Sequence, residues 1–216
     1  MAVKSANPKP HRRVEAWIYT AINPVIEALR DEAAALREGY LGWRGGPGYA
    51  LVVRPIRERL AYQHLPNLDD LLDERPELEA QLARHDELAV RLGRLAASRH
   101  RQMLGNDGFR ARANAAFALV SPGVRAPESL LGAIADLLIN HGGDLDAHAE
   151  MRELVARDPA LLPDLAPYAK DAELDGAARE LAKFAEDLGQ RFRELRRRLC
   201  REYDLPAAPV TRSDGA

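Results

Sequence analysis

Between Glu173 and Tyr203 the apolar side chains Leu174, Ala178, Leu181, Ala185, Leu188, Phe192, Leu195 and Leu199 follow one another at alternating steps of four and three. This spacing commits the segment to a long helix laid lengthwise on a partner, and it is kept up for almost four heptads. A second segment, from Glu77 to about Leu104, behaves in the same way. There Leu78, Leu82, His85, Ala89, Leu92, Ala96 and Met103 share one heptad phase, with Leu88 and Leu95 broadening it. Two such helices fix the expected architecture: a mainly α helical bundle built around a long antiparallel helix pair. We expect one helical domain over 14–203, with 1–13 and 204–216 as flexible tails.

The remaining punctuation is also helical in character. A first helix is predicted over Val14–Glu38, where Ile18, Ile22, Val25, Leu29, Ala33 and Leu36 hold one face. Pro24 interrupts it, giving either a kink or a fresh start with Asn23 as cap and Pro24 as first helical residue. Gly39, Gly42, Gly45, Gly46 and Gly48 then break the pattern, and a small hairpin at 39–54 is the one β element the sequence accommodates. These glycines lack the Gly-Lys-Ser/Thr ending of a phosphate-binding loop. Helices are further expected over 55–63, 68–74, 109–119, 128–140 and, capped by Asp144, up to about Arg157. Pro159, Pro163 and Pro167 predict a compact loop before the last helix.

Charge is distributed in blocks: +4 over 1–66, −6 over 67–90, +6 over 91–125, −9 over 126–188 and +3 over 189–216. Alternation of this kind points to complementarity within or between chains rather than to a uniform coat for nucleic acid. The arginines outnumber the lysines 27 to 4, which together with abundant alanine is the mark of a GC-rich bacterial coding sequence. One cysteine, Cys200, permits no internal disulfide and no cysteine-based metal cluster, in keeping with a cytoplasmic setting. No run approaches 18 apolar residues and Met1–Arg13 has no apolar signal core, so no membrane partner is expected.

Two arginine clusters are the candidate binding residues. Arg191, Arg193, Arg197, Arg198 and Arg201 end the last helix; Arg94, Arg99 and Arg101 end the Glu77 helix. Both helices also begin acidic, at Glu77, Glu79, Asp86 and Glu87 in one and Asp171, Glu173, Asp175 and Glu180 in the other. Laid antiparallel, they would match opposite charges at both ends, leaving the arginines as internal partners. If they are not so matched, a basic stripe for nucleic acid or another polyanion remains.

Catalytic patterns are weaker. His141, Asp144, Asp146, His148 and Glu150 are the densest potential metal ligands, but the strong zinc spacings are missing, so neither a metal nor another cofactor is expected. Arg57 or Arg59 with His64, and Arg94 with His100, satisfy the Arg-x(4–6)-His spacing that resembles HEPN-type ribonucleases. Roughly two such matches arise by chance in a chain this rich in arginine. The expected function is therefore a non-catalytic scaffold or adaptor subunit of a bacterial cytosolic assembly, which binds a protein partner or itself through 173–203. The alternatives are a nucleic-acid-associated protein using the arginine-rich helix ends, and after it a HEPN-like ribonuclease effector.

Overall fold

A computed structural model describes residues 10–39 and 67–206. Every regular element among them is helical: α1 (Pro10–Trp17), a π turn (Ile18–Ile22), α2 (Asn23–Arg37), α3 (Asn67–Asp73), α4 (Pro76–Leu104), α5 (Asp107–Phe117), α6 (Glu128–Asn140), two 3-10 turns (Leu145–Ala147 and Ala149–Met151), α7 (Arg152–Arg157), α8 (Leu161–Ala169) and α9 (Ala172–Glu202). The fold is thus a mainly α bundle. Beyond Gly39, the hairpin expected at 39–54 lies outside the described residues, as does the helix over 55–63.

All eight seam residues of α9 are buried, and the helix is opened by Asp171, whose side chain accepts from the backbone N–H groups of Glu173 (2.9 Å) and Leu174 (3.0 Å). Its first half joins an apolar cluster with the second half of α4 and with α5, α6 and α8. Its second half joins another, with α1, α2, α3 and the start of α4. α4 therefore does run antiparallel to α9. The most extensive packing of α9 is nevertheless on α2, with α4 second. Gly189 of α9 faces Leu29 of α2: a Cβ there would stand 3.7 Å from Leu29 Cβ, an ordinary contact distance.

Three local elements differ from expectation. The first helix begins at Pro10 and passes Pro24 without a break, because the turn before it is widened into a π turn, with Asn23 N–H bonded to Ile18 O. The wider turn relieves the clash that a proline ring makes with the carbonyl four residues back. Asn23 is itself helical and is not a cap. The proline-punctuated stretch is the helix α8, not a loop. Pro163 falls in the first turn, where no N–H has a helical partner, and Leu161 and Leu165, both fully buried, tie the helix to the core. Asp144 caps a 3-10 turn, not an α-helix, accepting from Asp146 N–H at 3.0 Å.

One buried polar pair locks α2 to α4. His85 Nε2 lies 2.5 Å from Glu32 Oε2, and Asp86 Oδ1 stands 3.6 Å from Nδ1. Burial works against a charge on this imidazole. The two carboxylates outweigh it and hold His85 up at about 9. Raised in the folded chain, the group contributes its stability in full below the ordinary value of about 6.5, and that contribution is lost as pH rises through about 9. Denaturant unfolding should therefore show stability falling by on the order of 3 kcal/mol between pH 6 and 10, and His85→Gln should flatten that slope. An unchanged slope would show that the pair stays neutral.

The glycines give a second check. Gly142 has φ +57°, and a Cβ there would lie 2.8 Å from Glu38 O, whereas a Cβ on Gly176 inside α9 meets nothing within 4 Å. Gly142→Ala should cost about 1–3 kcal/mol, and Gly176→Ala should stabilise by about 0.5–1 kcal/mol. Equal melting temperatures for the two variants would contradict this geometry.

Candidate functional site

The charge match between α4 and α9 is made at one end. Arg91 of α4 reaches Glu180 (3.2 Å) and Glu173 (3.9 Å) at the start of α9. At the other end Arg191, Arg198 and Arg201 line a groove of about 340 Å³ together with Glu77, Leu78, Glu194 and Leu195. Arg191, Arg197, Arg198 and Arg201 are exposed, and among the described residues none of them forms an ion pair. Arg193 is half-buried and donates to Gln190 Oε1 at 3.1 Å, and Arg201 Nε donates to Arg197 O at 3.4 Å.

The basic stretch Arg91–Arg112 is mostly committed to the fold. Arg99 donates to Gln102 Oε1 (2.9 Å) and to Lys170 O (2.6 Å), tying α4 to the α8–α9 junction. Arg110 pairs with Glu128 across to α6. Arg112 bridges Asp158 (2.6 Å) and Asp164 (2.8 Å). Arg94 and Arg101 are exposed, and Arg94 lines a groove with Arg91 and Glu173. From Glu77 to Arg94 the rise along α4 is about 25 Å, so the two arginine clusters do not form one surface. Arg94 and His100 also part company: His100 is buried, with Nε2 3.3 Å from Gly132 O of α6. Burial pushes its imidazole below the ordinary value. His64 and its arginines lie outside the described residues.

A different group is assembled at the end of α6. Asp136, His141 and His148 bring one ligand atom each to within 4.8 Å of the others. His148 Nε2 is 2.9 Å and His141 Nε2 3.6 Å from the same oxygen, Asp136 Oδ2. The other oxygen, Oδ1, accepts from Asn140 Nδ2 at 2.6 Å, and His148 Nδ1 faces Glu150 Oε1 at 3.5 Å. The positive φ of Gly142 and Gly143 turns the chain back over the helix end and delivers His148 to His141, their rings meeting edge to face at 5.3 Å. Of the ligands read from the sequence, Asp144 caps its turn and Asp146 pairs with Arg152. Asp136 was missed by the sequence reading. It sits inside an apolar helix at spacings of five and twelve from the histidines, and only its place six residues before a double-glycine reversal could have signalled it.

No protein family matches this chain, and neither does any curated protein or solved structure. Among the described residues no helix is long and apolar enough to cross a membrane.

The pairing of the α5 arginines has a direct consequence for stability. Arg112 holds Asp158 at the end of α7 and Asp164 in the first turn of α8 from a half-buried position, and it keeps the Asp158 carboxyl below its usual range. Arg112→Ala should cost about 1–3 kcal/mol, while Arg101→Ala stays within about 0.5 kcal/mol of the parent. Chemical denaturation compares the two, and equal losses would contradict the assignment of Arg112 to the fold.

Proposed function

We propose that this chain is a non-catalytic helical interaction subunit of a bacterial cytosolic assembly, which docks an acidic segment of a partner protein on the C-terminal half of α9. One observation carries this: Arg191, Arg198 and Arg201 line a groove whose cations have no carboxylate partner among the described residues. Exposed cations on a rigid helix give charge complementarity and rapid, salt-sensitive encounter with an acidic surface. Leu78 and Leu195 give the same groove an apolar floor. Glu77 and Glu194 interrupt the basic stripe, which suits a protein partner of mixed charge better than a continuous phosphate backbone.

Nucleic acid is the second reading, favoured by the spacing of Arg191, Arg198 and Arg201 at seven and three along one helix face. The two differ in their salt response, because each phosphate neutralised adds roughly 0.7–0.9 to the logarithmic slope.

The triple variant Arg191→Glu, Arg198→Glu, Arg201→Glu tests both. These side chains are exposed, so the helical fold and melting temperature should be kept. The parent chain should retain a defined partner from its host lysate that the variant loses, and light scattering should show whether that partner is a second copy. Binding of RNA or DNA with a steep salt slope, lost in the variant, would transfer the function to the second reading. Identical behaviour of parent and variant in every assay would end both.

A further inference from the structure

We propose that Asp136, His141 and His148 form a binding site for a divalent transition-metal ion, with Zn²⁺ the ion that fits best. The donor set is two imidazole nitrogens and one carboxylate oxygen, the chemistry that zinc and its first-row neighbours take. Zinc bonds of about 2.0–2.1 Å at tetrahedral angles place neighbouring donor atoms about 3.3 Å apart. The two observed separations from Asp136 Oδ2, 2.9 Å to His148 and 3.6 Å to His141, bracket that value. The three donors all lie within 4.8 Å of one another, so rotation of the two rings would have to close the remaining gap around one ion.

The surroundings fit a metal better than a simple hydrogen-bond cluster. The Asp136 side chain is only 12% exposed, yet among the described residues no lysine or arginine pairs with it. Buried carboxylates are held by a paired cation or by a metal, and among the described residues the side chains set against this one are Asn140, His141 and His148. Each ligand also has a partner of the kind that orients metal ligands. Asn140 fixes the Asp136 carboxylate through Oδ1, leaving Oδ2 for the ion, and Glu150 stands behind His148 on its Nδ1 side. Asn140 is 1% exposed and keeps its own Oδ1 buried without a donor, a lack that a metal-bound water can fill. Side-chain exposures of 17% at His148 and 29% at His141 open one side of the site to solvent, which provides an entry path and a fourth coordination position.

Because His141 ends α6 and His148 follows the Gly142–Gly143 reversal, the ion would staple the 141–148 loop to the helix. This site is independent of the arginine groove on α9, so its test does not depend on the proposed partner.

The full chain, stripped by chelator and dialysed, is titrated with Zn²⁺ by calorimetry in neutral buffer, and with Co²⁺ by visible absorption. We expect one ion per chain with micromolar or tighter affinity, a higher melting temperature with zinc, and d–d bands of a four- or five-coordinate cobalt. His141→Ala, His148→Ala and Asp136→Asn should each weaken zinc at least tenfold and remove the cobalt bands, while His11→Ala, at an exposed position of α1, leaves both unchanged. Circular dichroism establishes that the variants fold. His141→Ala, at the most exposed of the three positions, carries the test if the others do not. Absence of stoichiometric zinc binding by the parent would overturn the proposal. So would folded His141→Ala binding zinc and cobalt as the parent does, or His11→Ala losing them.

Discussion

The buried stripe of α9 is the constraint on which the other helices depend. Its first half, Leu174 to Ala182, closes the cluster built by the end of α4 with α5, α6 and α8; its second half, Ala185 to Cys200, closes the cluster of α1, α2, α3 and the start of α4. Neither cluster is complete without α9. The small helices would bury little alone: α3 and α7 are seven and six residues long, well below the length at which an isolated helix persists in water. They form because Leu68, Leu71, Leu72 and Leu154 find a prepared surface. Loss of a seam side chain such as Phe192 or Leu181 therefore disturbs more than its own contacts, since both clusters share one rigid rod.

The same arrangement explains why charge matching stops halfway along the α4–α9 pair. Near Arg91 the two helices lie close enough for Glu173 and Glu180 to reach across. Towards Glu77 and Arg198, α2 enters the same cluster, with Val25, Ile26 and Leu29 sharing it with Leu78 and Leu82 from α4 and Leu188 and Phe192 from α9. Where α2 joins this cluster, Glu77 and the arginines share the rim of a groove without pairing. α4 is tied to α2 by the buried Glu32–His85 pair. The exposed arginines are thus a by-product of three-helix packing as well as a surface available to a partner.

Periodicity made the long helices legible, and it could not show which of several partners each would choose. The observed spans Pro76–Leu104 and Ala172–Glu202 lie within a residue or so of those read from heptads, because long apolar repeats ended by Gly105 or by a charged tail leave little freedom. Pro159, Pro163 and Pro167 point to a loop by their number alone, yet α8 takes Pro163 in its first turn, where no N–H has a helical partner, and carries Pro167 inside it. The π turn before Pro24 was illegible for a similar reason. Sequence marks the obstacle, while the widened turn is one backbone answer among several. Of the candidate site residues, the arginines were visible as a cluster, but their pairing depended on α2, which the seam of α9 does not name. Asp136 was harder still, since its helix reads as continuous core.

Asp136 is also where the packing of the whole bundle meets the chemistry of one site. His141 caps α6 directly, but His148 reaches the helix end because the chain reverses at Gly142, and Gly142 can reverse there because no side chain separates it from Glu38 O and Gly39 just past the end of α2. α2 is in turn fixed by its long contact with α9 and by the pair between Glu32 and His85. The distance between His148 and Asp136 therefore depends on a chain of contacts running from the seam through α2 to a single glycine, whereas that between His141 and Asp136 is set by α6 itself. Enlarging that glycine would move the loop as a unit, and with it His148, without touching any of the three donor atoms. A site supported in this way takes its precision from rigid helices rather than from the loop that carries one of its ligands.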